Sequence, residues 1–155
     1  EGTDCIQALD LVGRKLALGG GRAERGFFAL VEGWLKANPE APHAAAVGKA
    51  LKQLQQATLW IASEGMKDPE QAGAASVPYL RLFALTTLAW LWSRMALVAQ
   101  QKRAAGSSET QFYGAKLKSA DFYVARVLTE TDSLLAEVQA GKATLMAFAE
   151  DDFAA

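Results

Sequence analysis

The chain has 155 residues, 51% of them hydrophobic and 21% charged, with a formal net charge of −1. That length supports one domain with its own core, and the composition excludes a disordered chain. A near-neutral balance without a basic stripe argues against nucleic acid as a partner, and the single cysteine, Cys5, excludes an internal disulfide and points to an intracellular, cytoplasmic setting.

β-Branched residues are scattered, strict alternation is missing, and Ala and Leu dominate, so everything between the breakers reads as helix. A short first helix is expected over about 3–18, following "EGT". No basic start and no unbroken apolar run mark a signal peptide there. Opening on Glu1 with no Met reads as a cut end, residues 1–20 closing one domain and residues 21–155 forming another. "GGG" at 19–21 has no strand before it, so it reads as a flexible joint and not a phosphate cradle.

A second helix is expected over about 22–37, ended by "NPEAP", and a third over about 43–64 with Val47, Leu51, Leu54, Thr58 and Ile61 on one stripe. "EGMKD" reads as solvated loop. In "KDPEQ", Asp68 is placed to cap, Pro69 suits the first helical position, and Gln71 sits at capping-box spacing.

The fourth helix, about 69–103, is apolar on almost every side, so it is either central or covered by another chain. Pro78 should kink it or mark its true start. The run "LFALTTLAWLWS" falls short of the roughly 20 apolar residues a bilayer needs, so no transmembrane segment is expected. Trp90 and Trp92 point to different faces, one into the bundle and the other a candidate anchor for a subunit or domain contact.

A fifth helix, about 109–139, starts at Ser108 with Gln111 at capping-box spacing. It carries a heptad seam of Tyr113, Leu117, Ala120, Val124, Val127, Thr131, Leu134 and Val138. Gly106 and Gly141 supply left-handed helix ends, and "AEDDF" reads as a solvated tail. The fold expected is all-α, an up-down four-helix bundle with a short additional N-terminal helix.

Candidate chemistry is thin. His43 is the only histidine, reads as a surface residue, and has no partners for a metal site. Cys5 has no histidine at a suggestive spacing, and no Glu-x-x-His pair stands ready for a di-iron site. The residues alone describe a helical interaction or support module. A stand-alone protein-interaction bundle with no catalytic role fits that description.

Residues 1–16, "EGTDCIQALDLVGRKL", resemble the acyl-CoA dehydrogenase stretch that runs from a Glu-Gly-Thr motif into the last helix of the catalytic core. "VPYLRLFALTTLAWLWSRMA" (77–96) and "QFYGAKLKSADFYVARVLTETDSLLAEVQAGKATLMAFAEDDF" (111–153) resemble the extra C-terminal helical domain of one branch of that family, the enzymes similar to 3-methylmercaptopropionyl-CoA dehydrogenase.

The resemblance implies an FAD-dependent α,β-dehydrogenation of an acyl-CoA thioester, with electrons passed to an electron-transferring flavoprotein. It implies that Glu1 is the general base and that Gly2, Thr3 and Cys5 lie against FAD. Asp4 and Cys5 replace the commoner Asn and Gly. It implies no metal, and it makes the chain's own upstream catalytic domains its first partners, with a homo-oligomer built around them. Separated from those domains, the chain is expected to bind no FAD and to have no activity.

Overall fold

The computed structural model describes residues 2–154. Thr3 opens the first helix, its carbonyl accepting the Gln7 N–H at 2.9 Å. That helix, α1 (Asp4–Asp10), passes directly into a π-helical turn, Leu11–Lys15. Ala8 and Val12 form its buried face.

The chain then turns through Leu18–Gly20, where Gly19, Gly20 and Gly21 take φ of 60°, 66° and 76°. Three successive left-handed residues are open only to glycine at low cost, so "GGG" reverses the chain between α1 and the helix that follows.

Four long helical rods come next. They are α2 (Arg22–Ala37), α3 (Ala44–Lys67), α4 (Pro69–Ala104), and a composite of α5 (Thr110–Phe122), a π turn (Tyr123–Val127) and α6 (Glu130–Ala140). Short connections make successive rods antiparallel, the expected up-down bundle. The tightest link is Asp68 alone, between α3 and α4. Its carboxylate accepts the Glu70 N–H at 3.0 Å and Pro69 fills the first helical position, as the sequence signature requires.

Other expected boundary signals are used differently. Gln71 does not close a capping box; its Oε1 accepts the Lys142 N–H at 3.0 Å and ties α4 to the end of α6. Ser108 does not cap α5, whose N-cap is Glu109; Ser107 Oγ accepts the Glu109 N–H instead, at 3.3 Å. "EGMK" (64–67) is the last turn of α3 and not a loop. Pro78 neither starts nor divides α4, which continues through it. Gly106 and Gly141 both take positive φ, 76° and 64°, but Gly141, with ψ of −158°, ends α6 in an extended form open to glycine and not in the left-handed helical turn expected.

Helix α4 lies at the centre, packed by α3, α5, α6 and α1. One of its faces carries Ala75, Tyr79, Leu82, Thr86, Ala89, Ser93 and Ala96 at alternating steps of four and three, and all seven are 0% exposed. The hydroxyls on that face find partners: Thr86 donates to the Leu82 carbonyl at 2.8 Å, Ser93 donates to the Pro42 carbonyl, and the Tyr79 and Thr58 hydroxyls share a 2.8 Å hydrogen bond. By length and composition α4 is apolar enough to cross a bilayer, more than its 12-letter run suggested. Its packing at the middle of the bundle accounts for the inner part of that apolarity, 44% of the apolar window being buried.

Both tryptophans of α4 pack within the chain. Trp90 meets Phe27 of α2 edge-on at 6.1 Å and lies under the Arg94 guanidinium. Trp92 lies 6.4 Å from Tyr123, with Lys116 above it. Trp92 is half-buried against the last rod, while Trp90 is buried in the bundle.

On that rod Ala120, Thr131, Leu134 and Val138 of the expected seam are buried and Tyr113, Leu117, Val124 and Val127 half-buried. The π turn adds a residue to the helical count and brings Tyr123 inward, where its hydroxyl donates to the Leu85 carbonyl at 2.9 Å.

Candidate functional site

Of the four site residues expected, Glu1 lies outside the described residues. Gly2, Thr3 and Cys5 form an exposed turn at the head of α1. Gly2 has φ of 75°, and no heavy atom lies within 4 Å of where its Cβ would stand. The Thr3 hydroxyl makes no capping bond. The three residues follow one another along a single edge, and the described structure gathers no other functional side chain beside them. No group of three or more metal-ligating side chains occurs among the described residues.

His43, expected at the surface, is half-buried. It sits in the left-handed turn before α3 with φ of 64°, its Nε2 2.9 Å from Asp121 Oδ1 on α5. Tertiary packing makes this pair, and no local pattern in "NPEAPH" announces it.

A cavity of about 710 Å³ lies between α1, the glycine reversal, α3 and the start of α4. Val12, Leu16, Ile61 and Ala72 supply apolar walls, and Glu24, Arg25 and Thr58 the polar ones. Glu24 stands in the first turn of α2, and its Oε2 is shielded from solvent without a hydrogen-bond partner among the described residues. An acidic residue in a first helical turn is ordinarily explained by the helix dipole, so the sequence held no sign that this one faces a cavity.

Tyr79 lies close by. Burial pushes its hydroxyl up to about 12; the Thr58 hydrogen bond opposes this and the Glu24 charge adds to it. An unfolded tyrosine ionises near 10.0. Between the two values the folded chain keeps a proton that the unfolded chain has lost, so stability should fall as pH rises through that window. The Tyr79 share of the loss is roughly 2–3 kcal/mol. Tyr123 is also raised to about 12, chiefly by burial, so Tyr79→Phe should remove part of the alkaline loss and not all of it. Urea denaturation on both sides of the window checks this; an alkaline slope unchanged in Tyr79→Phe would refute it.

Elsewhere the charged groups join helices. Asp132 of α6 takes hydrogen bonds from Lys49 at 2.7 Å and Gln53 at 2.5 Å, both on α3. The Lys49 hydrogen bond, then that of Gln53, holds the Asp132 carboxyl below its usual range. Lys142 reaches both Asp68 and Glu70 across the far end of the bundle.

These features define an all-α helical bundle with a largely apolar cavity between α1, α3 and α4. Comparison with known proteins makes the class specific. Residues 27–149 match the family model described as acetyl-CoA dehydrogenase C-terminal like, and the chain belongs to that family. It is 36% identical over 138 residues to 3-methylmercaptopropionyl-CoA dehydrogenase of Ruegeria pomeroyi, an alignment covering 84% of this chain and 23% of that relative. The chain thus spans under a quarter of the relative's length. The segment 77–96 and the first part of the segment 111–153, which resemble an extra C-terminal helical domain, lie within the matched region.

Proposed function

We propose that the chain is the C-terminal part of an FAD-dependent acyl-CoA dehydrogenase, and that its bundle is a support and oligomerisation domain with no activity alone. The observation that carries this reading is the family match across residues 27–149, joined to a relative that is itself named as an acyl-CoA dehydrogenase.

In this reading Glu1 takes the α-proton of the acyl-CoA thioester. Only a polarised thioester carbonyl makes that proton acidic enough, and a desolvated carboxylate has its basicity raised toward the task. Gly2, Thr3 and Cys5 border the flavin. All three are exposed, and no heavy atom lies within 4 Å of where a Gly2 Cβ would stand, which leaves this edge open to a ligand. FAD, when bound, supplies the acceptor for the β-hydrogen as hydride. Upstream domains would complete the site, an electron-transferring flavoprotein would take the electrons, and the enzyme would work in the cytoplasm.

The test is an acyl-CoA screen of the full-length protein, following flavin bleaching, beside the flavin content of the 155-residue chain alone. Thioester-dependent bleaching by the former and a colourless preparation of the latter are expected. A stoichiometrically yellow 155-residue chain, or a full-length protein whose flavin no acyl-CoA bleaches, would favour a stand-alone interaction bundle.

A further inference from the structure

Helix α4 carries a second stripe on the side turned away from the bundle. Glu70, Ala74, Val77, Arg81, Ala84, Leu88, Leu91, Met95, Val98 and Lys102 succeed one another at alternating steps of four and three for the whole length of the helix. Ala74 is half-buried and the other nine are exposed, with Val77 at 48%, Leu88 at 44% and Val98 at 49%. Beside its C-terminal half, Leu91, Met95 and Val98 join Phe112 of α5 to line a groove of about 470 Å³. Large apolar side chains left open at a heptad spacing are what one helix offers to another running alongside it.

We propose that this stripe is the contact between two copies of the chain, packed antiparallel about a two-fold axis near Thr86. The inference rests on the oligomerisation role proposed for the bundle and names its surface. The stripe is complementary to itself only in that direction. An antiparallel copy sets Glu70 opposite Lys102, Ala74 opposite Val98, Val77 opposite Met95, Arg81 opposite Leu91, and Ala84 opposite Leu88.

Both ends then pair opposite charges, and each alanine meets a larger aliphatic residue, so the small and large positions interlock. A parallel copy would face Glu70 with Glu70, Arg81 with Arg81 and Lys102 with Lys102, a set of like-charge contacts that disfavours it. Arg81 does not obstruct the antiparallel arrangement. Its guanidinium is drawn aside to Glu130, with Nε at 2.7 Å from Oε2, which leaves the aliphatic stem to cover Leu91 of the second copy. Glu70 also meets Lys142 within its own chain, and remains open enough for a second cation.

Cysteine pairs test both contact and direction. In a Cys5→Ser background, Glu70→Cys and Lys102→Cys are made separately and mixed, then treated with a short bis-maleimide. Within one copy these positions stand roughly 48 Å apart, beyond the reach of the linker. The mixture should give a cross-linked dimer and each variant alone should not. Leu88→Glu, which places two carboxylates beside the axis, should weaken association by about 100-fold or more in sedimentation while the helical circular dichroism is retained.

Cross-linking of either cysteine variant with itself would overturn the register. A monomer at all concentrations would overturn the contact. So would a stripe that is labelled freely in the 155-residue chain but protected by upstream domains in the longer protein, or one that binds neutral lipid vesicles instead of a second copy. None of these readouts depends on acyl-CoA turnover, so the contact and the dehydrogenase reading fail separately.

Discussion

Glu1→Gln in the full-length enzyme should lower turnover by about 10²–10⁴-fold while flavin content and acyl-CoA binding remain. The amide keeps the size and shape of the carboxylate and removes its basicity, so the loss should fall on kcat and on the rate of flavin bleaching. That corresponds to roughly 3–5.5 kcal/mol of transition-state stabilisation. Glu1 itself lies outside the described residues, but its neighbours in the chain give the prediction mechanical content. Gly2 and Thr3 lead directly into α1, and α1 is pinned by Ala8 and Val12. A Glu1→Gln enzyme that bleaches its flavin at the original rate would show that the base lies elsewhere, and would leave the bundle's family membership untouched.

The helical architecture was legible because its punctuation is local. Asp68-Pro69 and the glycines at 106 and 141 act through their own backbone preferences, so the rods begin and end close to where those residues stand. The remaining features depend on contacts distant in sequence. Tyr123 lies just off the regular seam of its helix, and only the Leu85 carbonyl across the interface makes a π turn the way to bury it. Gln71 meets Lys142, and His43 meets Asp121, through the closing of the bundle.

The candidate site was readable only as a motif. The turn at Gly2 and Thr3 gathers nothing around it here, and the cavity at Glu24 had no local signal at all. Helix α4 is the instructive case. Its inner stripe and its outer stripe are both apolar and both heptad-spaced, so their contrast cancels in the sequence. The expectation that it is either central or covered by another chain posed alternatives that the fold makes compatible, since one stripe is wholly buried and the other is open.

The two stripes should respond very unequally to the same kind of substitution. Leu82→Ala, on the inner stripe, should destabilise the fold by about 3–5 kcal/mol. Leu82 is 0% exposed, and its neighbours on that face include Ala75, Ala89 and Ala96. Where side chains are already that small, helices pack closely and have little room to relax into a vacated volume, so the cavity should persist and the loss should lie toward the upper part of the range. Leu88→Ala, on the outer stripe and 44% exposed, should cost a dilute single chain less than about 1 kcal/mol, because much of its side chain is already in water. Urea denaturation at a concentration too low for association measures both. Equal losses would mean that α4 is rotated from the orientation described. A large loss at Leu82 with a small one at Leu88, accompanied by a concentration-dependent gap between Leu88→Ala and the unaltered chain, would separate the face that builds the fold from the face that joins two copies of it.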